Sequence, residues 1–174
     1  ALLRTDPGMV VHEGAIDPLL EDPRRQAWVI GPGGGKEAPK LLVQATRAGR
    51  QVVADADALR DPAALADAAL ITPHEGEFTR LFGAPGRDRV AAVRRAALQL
   101  GTVVLLKGPT TIIAAPDGQV VLNANAPAFL ATAGTGDTLA GIAAAWLAQG
   151  ATPLQAACAA AWLSGEAARL VGPG

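Results

Sequence analysis

Residues 27–35 read Ala-Trp-Val-Ile-Gly-Pro-Gly-Gly-Gly, and residues 51–54 read Gln-Val-Val-Ala. Both contain apolar runs of strand length, and the first run ends in a glycine-rich turn. Residues 36–49 lie between them and suit a helix that Gly49 closes. A strand, a helix and a second strand in this order are typical of a βαβ unit with parallel strands.

The alternation of strands and helices continues along the chain. Further strands are predicted at residues 69–71 and 102–107, and as a hairpin of residues 111–115 and 119–123 around Pro116-Asp-Gly118. Further helices are predicted at residues 63–67, 72–83, 86–100, 136–149 and 153–171. The pattern predicts a single α/β domain over residues 1–174 with a mostly parallel sheet. Ligands of such sheets lie beyond the carboxyl ends of the strands.

The composition excludes several classes of protein. The 174 residues include 15 Lys and Arg against 16 Asp and Glu, which argues against a basic surface for nucleic acid. Hydrophobic residues make up 50% and the mean hydropathy is +0.26, which excludes intrinsic disorder. No apolar run reaches the roughly 18 residues of a membrane-spanning helix, and we expect no leader peptide. Cys158, the one cysteine, excludes an internal disulfide framework and makes a reducing cytoplasm the simplest compartment.

Both ends of the chain read as interior positions of a longer fold. Residues 1–4, Ala-Leu-Leu-Arg, look like the tail of a helix without a preceding cap. We therefore expect that an N-terminal portion is missing. Residues 170–174, Leu-Val-Gly-Pro-Gly, are interpreted as a truncation or a disordered tail.

The strongest signal for chemistry is Ala131-Thr-Ala-Gly-Thr-Gly-Asp-Thr-Leu-Ala-Gly141. Gly134 and Gly136 let the backbone turn sharply beside a ligand, and the following helix directs free N–H groups at it. Gly134, Thr135 and Gly136 therefore form a candidate anion hole for a phosphate. Asp137 in the first turn could be the general base for a hydroxyl that attacks the phosphoryl group. It could equally serve only to complement the helix dipole.

Several common site motifs do not fit the sequence. The glycine loop lacks the Gly-x-x-x-x-Gly-Lys-Ser/Thr pattern of a P-loop. The turn between Gly31 and Gly35 lacks the full dinucleotide fingerprint, and Pro32 removes an N–H that a phosphate could use. Taken alone, it is interpreted as a plain turn. The chain has two His residues, His12 and His74, which disfavours a metalloenzyme.

The stretch Thr72-Pro-His-Glu-Gly-Glu77 predicts the start of a helix at the ligand edge of the sheet. Thr72 and Glu75 have the spacing of a capping box, with Pro73 at the first helical position. His74 and Glu77 have no such explanation. His74 could hydrogen-bond a substrate, and Glu77 could hold a Mg²⁺-bound water or cap the helix.

Other polar residues also follow predicted strands. Lys107-Gly-Pro-Thr-Thr111 could contact a nucleotide, or could form a strand corner whose Lys extends to solvent. Asp55 and Asp57 could orient Mg²⁺ or a hydroxyl group, or could cap the next turn. Asn123 and Asn125 could bind substrate, although stabilising a turn is the favoured interpretation.

Five elements occur together in an order that resembles a known family. They are Gly31-Pro-Gly-Gly-Gly35, Asp55-Ala-Asp-Ala-Leu59, Thr72-Pro-His-Glu-Gly-Glu-Phe-Thr-Arg-Leu-Phe-Gly83, Val104-Leu-Leu-Lys-Gly108 and Gly134-Thr-Gly-Asp-Thr-Leu-Ala-Gly141. From about residue 27 to 165, the sequence resembles the ADP-dependent NAD(P)H-hydrate dehydratases of the ribokinase-like superfamily. The Gly-Thr-Gly-Asp element marks only the superfamily, and the Thr-Pro-His-Glu-Gly-Glu, Asp-Ala-Asp-Ala-Leu and Lys-Gly elements narrow it to this family.

The resemblance implies a three-layer α/β/α ribokinase-like fold and a repair enzyme for hydrated NADH and NADPH. Such enzymes phosphorylate the ring hydroxyl and eliminate it, with ADP or ATP as donor and Mg²⁺ on the nucleotide phosphates. It makes Asp137 the base and Gly134, Thr135 and Gly136 the anion hole, with no direct protein ligand for the metal. The implied nucleotide contacts are Lys107, Gly108, Pro109, Thr110, Thr111 and Gly136. The implied hydrate contacts are Gly33, Gly35, His74 and Asp137, supported by Asp55, Asp57, Glu77 and Asn125.

The resemblance has further implications and some departures. It implies a cytoplasmic homo-oligomer with a hydrate epimerase as a functional partner, and no nucleic-acid or membrane partner. The chain reads Asp6-Pro7-Gly8 where family members usually read Gly-Ala-Gly, and Gly34 where Leu is common. Two alternatives stay open at this point. One is an ATP-dependent kinase of a small hydroxymethyl compound, such as a vitamin precursor or a sugar, and the other is a nucleotide-binding homologue without catalysis.

Overall fold

The computed structural model of the chain describes residues 14–172. The helices within this range are α1 (Asp17–Glu21), α2 (Ala38–Arg47), α3 (Glu75–Phe82), α4 (Arg89–Leu100), α5 (Thr135–Ala148) and α6 (Pro153–Val171). The strands are β1 (Ala27–Ile30), β2 (Gln51–Ala54), β3 (Leu70–Ile71), β4 (Val103–Leu106), β5 (Thr111–Ala114) and β6 (Val120–Asn123). Short 3-10 turns lie in the connections at Gly35–Glu37, Ala56–Arg60, Pro62–Ala64 and Ala128–Leu130.

The strands of the described residues form one sheet in the order β1-β2-β3-β4-β5-β6. Strands β1 to β4 pair in parallel, with Val53 opposite Leu70 and Leu70 opposite Val103. Strands β5 and β6 add an antiparallel hairpin. Since the pairings along β1–β4 are all parallel, the predicted mostly parallel sheet is confirmed. The carboxyl ends of these four strands therefore lie along one edge of the sheet.

Helices cover both faces of this sheet. Val52 and Ala54 belong to the core cluster under α2 and α4, whereas Val53 between them belongs to the cluster under α5 and α6. This alternation follows from the period of two along a strand, which sends successive side chains to opposite faces. The expected three layers, α/β/α, are confirmed.

Small residues allow α5 and α6 to lie close to the sheet. Ala140, Ala143, Ala156 and Ala157 have no exposed surface. Cys158 packs against the same cluster, and burial raises the pKa of its thiol. The cysteine is therefore a packing residue of α6.

Besides the start of α3, two further helices differ from the sequence prediction. The helix expected at residues 63–67 is a single 3-10 turn, Pro62–Ala64, which the Asp61 side chain caps by accepting the Ala63 N–H. The helix expected from residue 86 begins at Arg89, because the Asp88 carboxylate accepts the Ala91 N–H at 2.8 Å and caps it there.

The interpretations of the chain ends lie partly outside the described range. Residues 1–4, the Asp6-Pro7-Gly8 departure, His12 and residues 173–174 are not among the described residues. Helix α6 continues to Val171, and Gly172 follows it with φ +77°. Within residues 14–172, no helix has both the length and the apolar character needed to cross a membrane.

Candidate active site

The first turn of α5 presents backbone N–H groups without partners. Gly134 has φ +88°, the left-handed conformation that favours glycine, and no side chain caps the helix. The Thr138 N–H donates to Gly134 O at 3.1 Å, whereas the N–H groups of Gly136 and Asp137 have no acceptor within the described range. These groups and the positive end of the helix dipole form a candidate anion-binding position. The Asp137 carboxylate is exposed beside it, without a hydrogen bond or ion pair to any described residue.

A buried ion pair lies against this anion-binding position. Lys107 Nζ is 2.8 Å from Asp55 Oδ1, and the Asp55 side chain is 2% exposed against 21% for Lys107. A methyl group added at Gly136 would lie 3.2 Å from Lys107 Nζ and 3.6 Å from Asp55 Oδ2. The ammonium group therefore stands next to the free N–H groups of α5. Glycine at position 136 is what permits this close approach.

Asp55 and Asp57, which follow strand β2, have different partners. The Asp55 side chain makes no capping hydrogen bond, and it pairs with Lys107 instead. Asp57 Oδ2 accepts the Gly35 N–H at 2.9 Å, and its other oxygen pairs with Arg60 at 2.7 Å. Ala56 between them has φ +47°, a conformation that non-glycine residues adopt at a cost and only where the surroundings impose it. Ala56 thus separates Asp55, which belongs to the ion pair, from Asp57, which holds the glycine turn.

The turn from Gly31 to Gly35 is fixed against these aspartates. Gly31 has φ +131°, and a methyl group there would lie 1.6 Å from Asp55 O, so this position requires glycine. The Gly34 N–H donates to Gly31 O at 2.9 Å, which closes the turn. Gly33 is exposed and Gly35 is half-buried, so both backbone segments can be reached by a ligand from the sheet edge.

Helix α3 starts later than predicted, and a different pair of residues caps it. The predicted cap pair Thr72 and Glu75 is wrong: the capping box is formed by His74 and Glu77. Thr72 and Pro73 continue the sheet instead, because the Thr72 N–H donates to Ala54 O and Pro73 O accepts the Lys107 N–H at 2.9 Å. Helix geometry can begin only after these pairings end. Of the two roles predicted for Glu77, the structure shows helix capping.

The cap fixes the proton position on the His74 ring. Nδ1 accepts the N–H groups of Gly76 and Glu77 at 3.0 and 3.3 Å, and Glu77 Oε2 accepts the His74 N–H at 2.8 Å. This hydrogen-bond network assigns the proton of the neutral ring to Nε2, since Nδ1 is an acceptor. The His74 side chain is 61% exposed, and its Nε2 lies 3.5 Å from Glu77 Oε2, so this carboxylate is next to the N–H that a ligand could reach.

The capping role of His74 predicts a specific pattern of stability. His74→Ala is expected to lower the free energy of unfolding by about 1 kcal/mol, because the N–H groups of Gly76 and Glu77 lose their acceptor. His74→Asn should leave stability nearly unchanged, because asparagine is a preferred helix cap. Chemical denaturation of both variants checks this difference. Equal destabilisation by Ala and Asn would contradict the cap assignment.

The remaining predicted residues fall into an accessible and a packed group. Pro109 and Thr110 are exposed and Gly108 is half-buried between β4 and β5, whereas Thr111 is 6% exposed. Asn125 is a packing residue rather than a ligand-facing one. Its Nδ2 donates to Trp162 O and to Glu166 Oε1 at 3.0 and 3.2 Å.

Asn125 and Asn123 attach the segment before the glycine loop to α6. Asn123 Nδ2 donates to Asn125 Oδ1 at 2.8 Å and to Ala161 O at 3.3 Å. A methyl group at Gly165 would lie 2.1 Å from Asn125 Oδ1, so α6 is shaped for this contact. Both asparagines thus have structural partners, but most of these partners lie on α6 rather than in the local turn that was the favoured interpretation.

A cavity that no sequence pattern indicated lies beside the glycine loop. It has a volume of about 570 Å³ and is largely apolar, with Thr132, Thr135 and Ile142 on one side and Ser164 and Ala168 of α6 on the other. The Ser164 hydroxyl oxygen is buried and has no hydrogen-bond partner among the described residues. Small and apolar residues from two helices line the cavity, and in a single sequence such residues are interpreted as core.

A second unpredicted residue is Arg89, the first residue of α4. Its Nη1 lies 2.7 Å from Glu75 Oε2. A methyl group at Gly108 would lie 3.5 Å from its Nη2. The one indication of Arg89 in the sequence was its positive charge at the start of a predicted helix, where the helix dipole disfavours a cation.

Metal binding by protein side chains alone finds no support in residues 14–172. No group of three or more His, Cys, Asp or Glu side chains in this range is arranged to hold a metal ion. The acidic residues considered for a role with Mg²⁺ all have other partners: Asp55 pairs with Lys107, Asp57 with Gly35 and Arg60, and Glu77 caps α3.

Comparisons with known proteins agree on one family. The profile of the family described as NAD(P)H-hydrate dehydratase matches residues 4–172. The ADP-dependent (S)-NAD(P)H-hydrate dehydratase of Neisseria meningitidis is 39% identical over 172 residues, which are 89% of this chain and 58% of that protein. The bifunctional NAD(P)H-hydrate repair enzyme Nnr of Mycobacterium leprae is 44% identical over 157 residues, 84% of this chain and 33% of that protein. The chain thus spans less than two thirds of the length of these relatives.

Solved structures give the same result for the fold. The ADP/ATP-dependent NAD(P)H-hydrate dehydratase from Bacillus subtilis, co-crystallised with ATP and Mg²⁺, matches with a TM-score of 0.68 and 32% identity over 83% of this chain and 55% of that one. Ribokinase from Arabidopsis thaliana matches with a TM-score of 0.58 and 20% identity over 77% of this chain and 47% of that one, which supports the fold alone. The three-layer architecture, the glycine loop on α5 and the match over residues 4–172 together establish that this chain belongs to the NAD(P)H-hydrate dehydratase family and has a ribokinase-like α/β fold.

Proposed function

We propose that this chain contributes the active site of an ADP-dependent NAD(P)H-hydrate dehydratase, an enzyme that repairs hydrated NADH and NADPH. The observation that carries the proposal is the arrangement at the start of α5. Free N–H groups of Gly136 and Asp137, the Lys107 ammonium group and an unpaired Asp137 carboxylate lie together at the carboxyl edge of the sheet. Phosphoryl transfer needs these functions: anion binding, charge neutralisation and a base at the attacking oxygen.

The proposed reaction begins with transfer of a phosphoryl group to the ring hydroxyl of the hydrate. Asp137 takes the hydroxyl proton as the oxygen attacks the terminal phosphorus, and the bond from that phosphorus to the bridging oxygen breaks. With ADP as donor, the nucleotide product is AMP. The carbon–oxygen bond of the ring then breaks with phosphate as leaving group. The neighbouring ring carbon loses a proton, so the double bond is restored.

We assign the nucleotide phosphates to the anion hole of Gly134, Thr135 and Gly136, with Lys107 as the neutralising cation. The backbone from Gly108 to Thr110 is accessible to the rest of the nucleotide. The apolar cavity beside Thr132 and Thr135 supports a nucleotide ligand, because its size suits a flat base next to the phosphates.

We assign the hydrate to the opposite side of Asp137, against the backbone of Gly33 and Gly35 and the Nε2–H of His74. The capping role of His74 makes one substitution informative, because asparagine preserves the cap and removes the Nε2–H donor. His74→Asn should raise the KM for the hydrate by about 2- to 10-fold, the loss expected for one hydrogen bond. A KM equal to that of the unchanged protein would remove His74 from the hydrate site.

We propose that Mg²⁺ binds to the nucleotide phosphates rather than to a set of protein side chains. Among the proposed site residues that the structure describes, Asp137 is the one acidic side chain without a partner. The Bacillus subtilis relative was co-crystallised with ATP and Mg²⁺ together. A bound Mg²⁺ would neutralise phosphate charge next to the anion hole. Lys107 and the α5 N–H groups would hold the remaining phosphate oxygens.

The assembly and the setting of the protein are also proposals. Trp146 of α5 and Trp162 and Leu163 of α6 are exposed apolar residues, which supports a homo-oligomer that covers them. The bifunctional relatives support a hydrate epimerase as functional partner. The single Cys158 supports the reducing cytoplasm as compartment.

An absorbance assay at the nicotinamide band tests the proposed function. Purified NADH hydrate and Mg²⁺ are incubated with the protein and either ADP or ATP. Recovery of reduced-cofactor absorbance with ADP is the expected result and would also give the nucleotide preference. No recovery with either donor, despite measurable nucleotide binding, would overturn the proposal in favour of a small-alcohol kinase or a non-catalytic homologue.

A further inference from the structure

The glycine-rich turn on the hydrate side of the proposed site needs contacts from outside it to hold one conformation. From Gly31 to Gly35 it contains four glycines and one proline. Glycine leaves the backbone more conformational freedom than any other residue. Gly31, Gly33 and Gly35 have φ values of +131°, +65° and +58°. Because the glycines have no side chains, hydrogen bonds must fix this succession of left-handed conformations.

Hydrogen bonds fix the turn at its start, in its middle and at its far end. The Asp55 N–H donates to Ile30 O at 3.1 Å just before the turn, and a later glycine of the turn donates its N–H to Gly31 O at 2.9 Å. At the far end, Asp57 Oδ2 accepts the Gly35 N–H at 2.9 Å across 22 residues of sequence. Only this last bond uses a side chain. A substitution of Asp57 can therefore release the far end of the turn and leave the backbone bonds in place.

The Asp57 carboxylate is itself held in place. Its Oδ1 pairs with Arg60 at 2.7 Å, so both of its oxygens have partners, and the side chain is 23% exposed. Ala56 before it has φ +47°, a conformation that costs free energy for a residue with a side chain. The surroundings thus impose an unusual backbone conformation next to Asp57, and from there the carboxylate reaches Gly35.

The bond to Asp57 decides which polar groups of the turn remain for a ligand. The Gly35 N–H is taken by Asp57, and Gly35 O accepts the Ala38 N–H. Gly33 is exposed, and its N–H has no acceptor within residues 14–172. A methyl group added at Gly33 would meet no atom within 4 Å, so the space around this residue is open. The Gly33 N–H is therefore a free donor that a ligand can reach, whereas Gly35 offers a ligand only its surface.

We propose that Asp57 is a positioning residue for the hydrate: it binds the Gly35 N–H and so holds the turn in the conformation that presents the Gly33 N–H to the ligand. The inference rests on the proposed function for the identity of the ligand. Asp57 is negatively charged, as are the phosphates of a dinucleotide, so it acts through the backbone rather than by direct contact with them. A turn that is already ordered favours binding, because the ligand does not have to order it.

Amide hydrogen exchange measured by NMR tests the positioning role without catalysis. Asp57→Ala is expected to speed exchange of the Gly35 amide about 10-fold, because its hydrogen bond to a charged group is lost. Asp57→Asn should change this rate by less than about 3-fold, since the side-chain oxygen can still accept the N–H. Asp61→Ala is the matched control, because the Asp61 carboxylate accepts the backbone N–H of Ala63 at 3.0 Å in the next turn of the chain. Equal exchange of the Gly35 amide in Asp57→Ala and Asp61→Ala would overturn the proposal.

Protection by ligand tests which backbone donor meets the hydrate. Saturation with NADH hydrate in the absence of nucleotide should slow exchange of the Gly33 amide about 10-fold, the effect of one added hydrogen bond. The Gly35 amide should change little, because Asp57 already binds it. Protection of the Gly35 amide instead, or of neither amide at saturation, would overturn the assignment of the Gly33 N–H.

Steady-state kinetics distinguishes positioning from a general loss of stability. Asp57→Ala should raise the KM for the hydrate about 3- to 10-fold and leave the KM for ADP within about 2-fold, because the released turn lies on the hydrate side. Asp57→Asn should keep the KM for the hydrate close to that of the unchanged protein. An equal rise in both KM values, or no rise in either, would overturn the positioning role. If the unchanged protein dehydrates no hydrate, the proposed function fails, and exchange of the Gly35 amide still decides whether Asp57 fixes the turn.

Discussion

Asp137→Asn is expected to lower kcat by about 10²- to 10⁴-fold, the usual contribution of a general base. The Kd for ADP should stay within a few-fold, because the N–H groups of Gly136 and Asp137 are backbone groups that the substitution leaves in place. The Asp137 side chain has no partner among the described residues, so its amide analogue breaks no existing contact. Single-turnover kinetics together with calorimetric titration of ADP measure the two quantities separately.

The competing interpretation of Asp137 gives a different result. An acidic residue that only complements the helix dipole contributes about 0.3–1 kcal/mol to stability and nothing to the chemical step. Asp17→Asn makes the same change in the first turn of α1 and is the matched control for this effect. If Asp137→Asn retained nearly full kcat and behaved like Asp17→Asn in stability, the base assignment would be wrong.

Lys107→Met is expected to weaken ADP binding by about 10- to 100-fold, since it removes a charged hydrogen-bond donor beside the anion hole. It should also destabilise the fold by about 3–5 kcal/mol, because it leaves the Asp55 carboxylate buried without its counter-charge. Asp55→Asn should destabilise less, since Lys107 is 21% exposed and part of its charge is hydrated. Thermal unfolding and ADP titration measure the two effects.

The double variant Asp55→Asn/Lys107→Met separates stability from function. Both charges are absent from this variant, so most of the stability lost in Lys107→Met should return, because replacing a buried ion pair by uncharged groups is often neutral. ADP affinity should stay low, because the cation is still missing. Recovery of ADP affinity together with stability would show that Lys107 acts only as the partner of Asp55.

Local sequence signals were sufficient for the alternation of strands and helices, whereas the three layers were implied by the family resemblance. Apolar runs of strand length, cap residues and glycines at helix ends act within a few residues, so they predict elements from one sequence. The strands β1, β2 and the β5–β6 hairpin and the helices α5 and α6 were predicted close to their observed bounds. The start of α3 was not, because sheet pairing of Thr72 and Pro73 outcompetes the cap that their spacing allows.

The residues of the candidate site could be predicted from the sequence, but the contacts between them could not. The glycine loop, Asp137, Lys107 and the strand-end aspartates were recognised from residue types and spacing. Their pairing was not: Lys107 and Asp55 are 52 residues apart, and the alternatives for each stayed open in the sequence. Asn125 likewise became a packing residue through contacts with α6, from 37 to 41 residues away.

The α/β alternation, the candidate anion hole at the start of α5 and the resemblance to a family follow from the order of residues alone, because each depends on short-range backbone preferences or on the succession of motifs. Which charges meet depends on tertiary packing. Packing placed the Asp55–Lys107 pair against Gly136, gave the cap of α3 to His74 and paired Arg89 with Glu75. Such contacts arise where distant segments converge on one sheet edge, and no local pattern of residues encodes that distance.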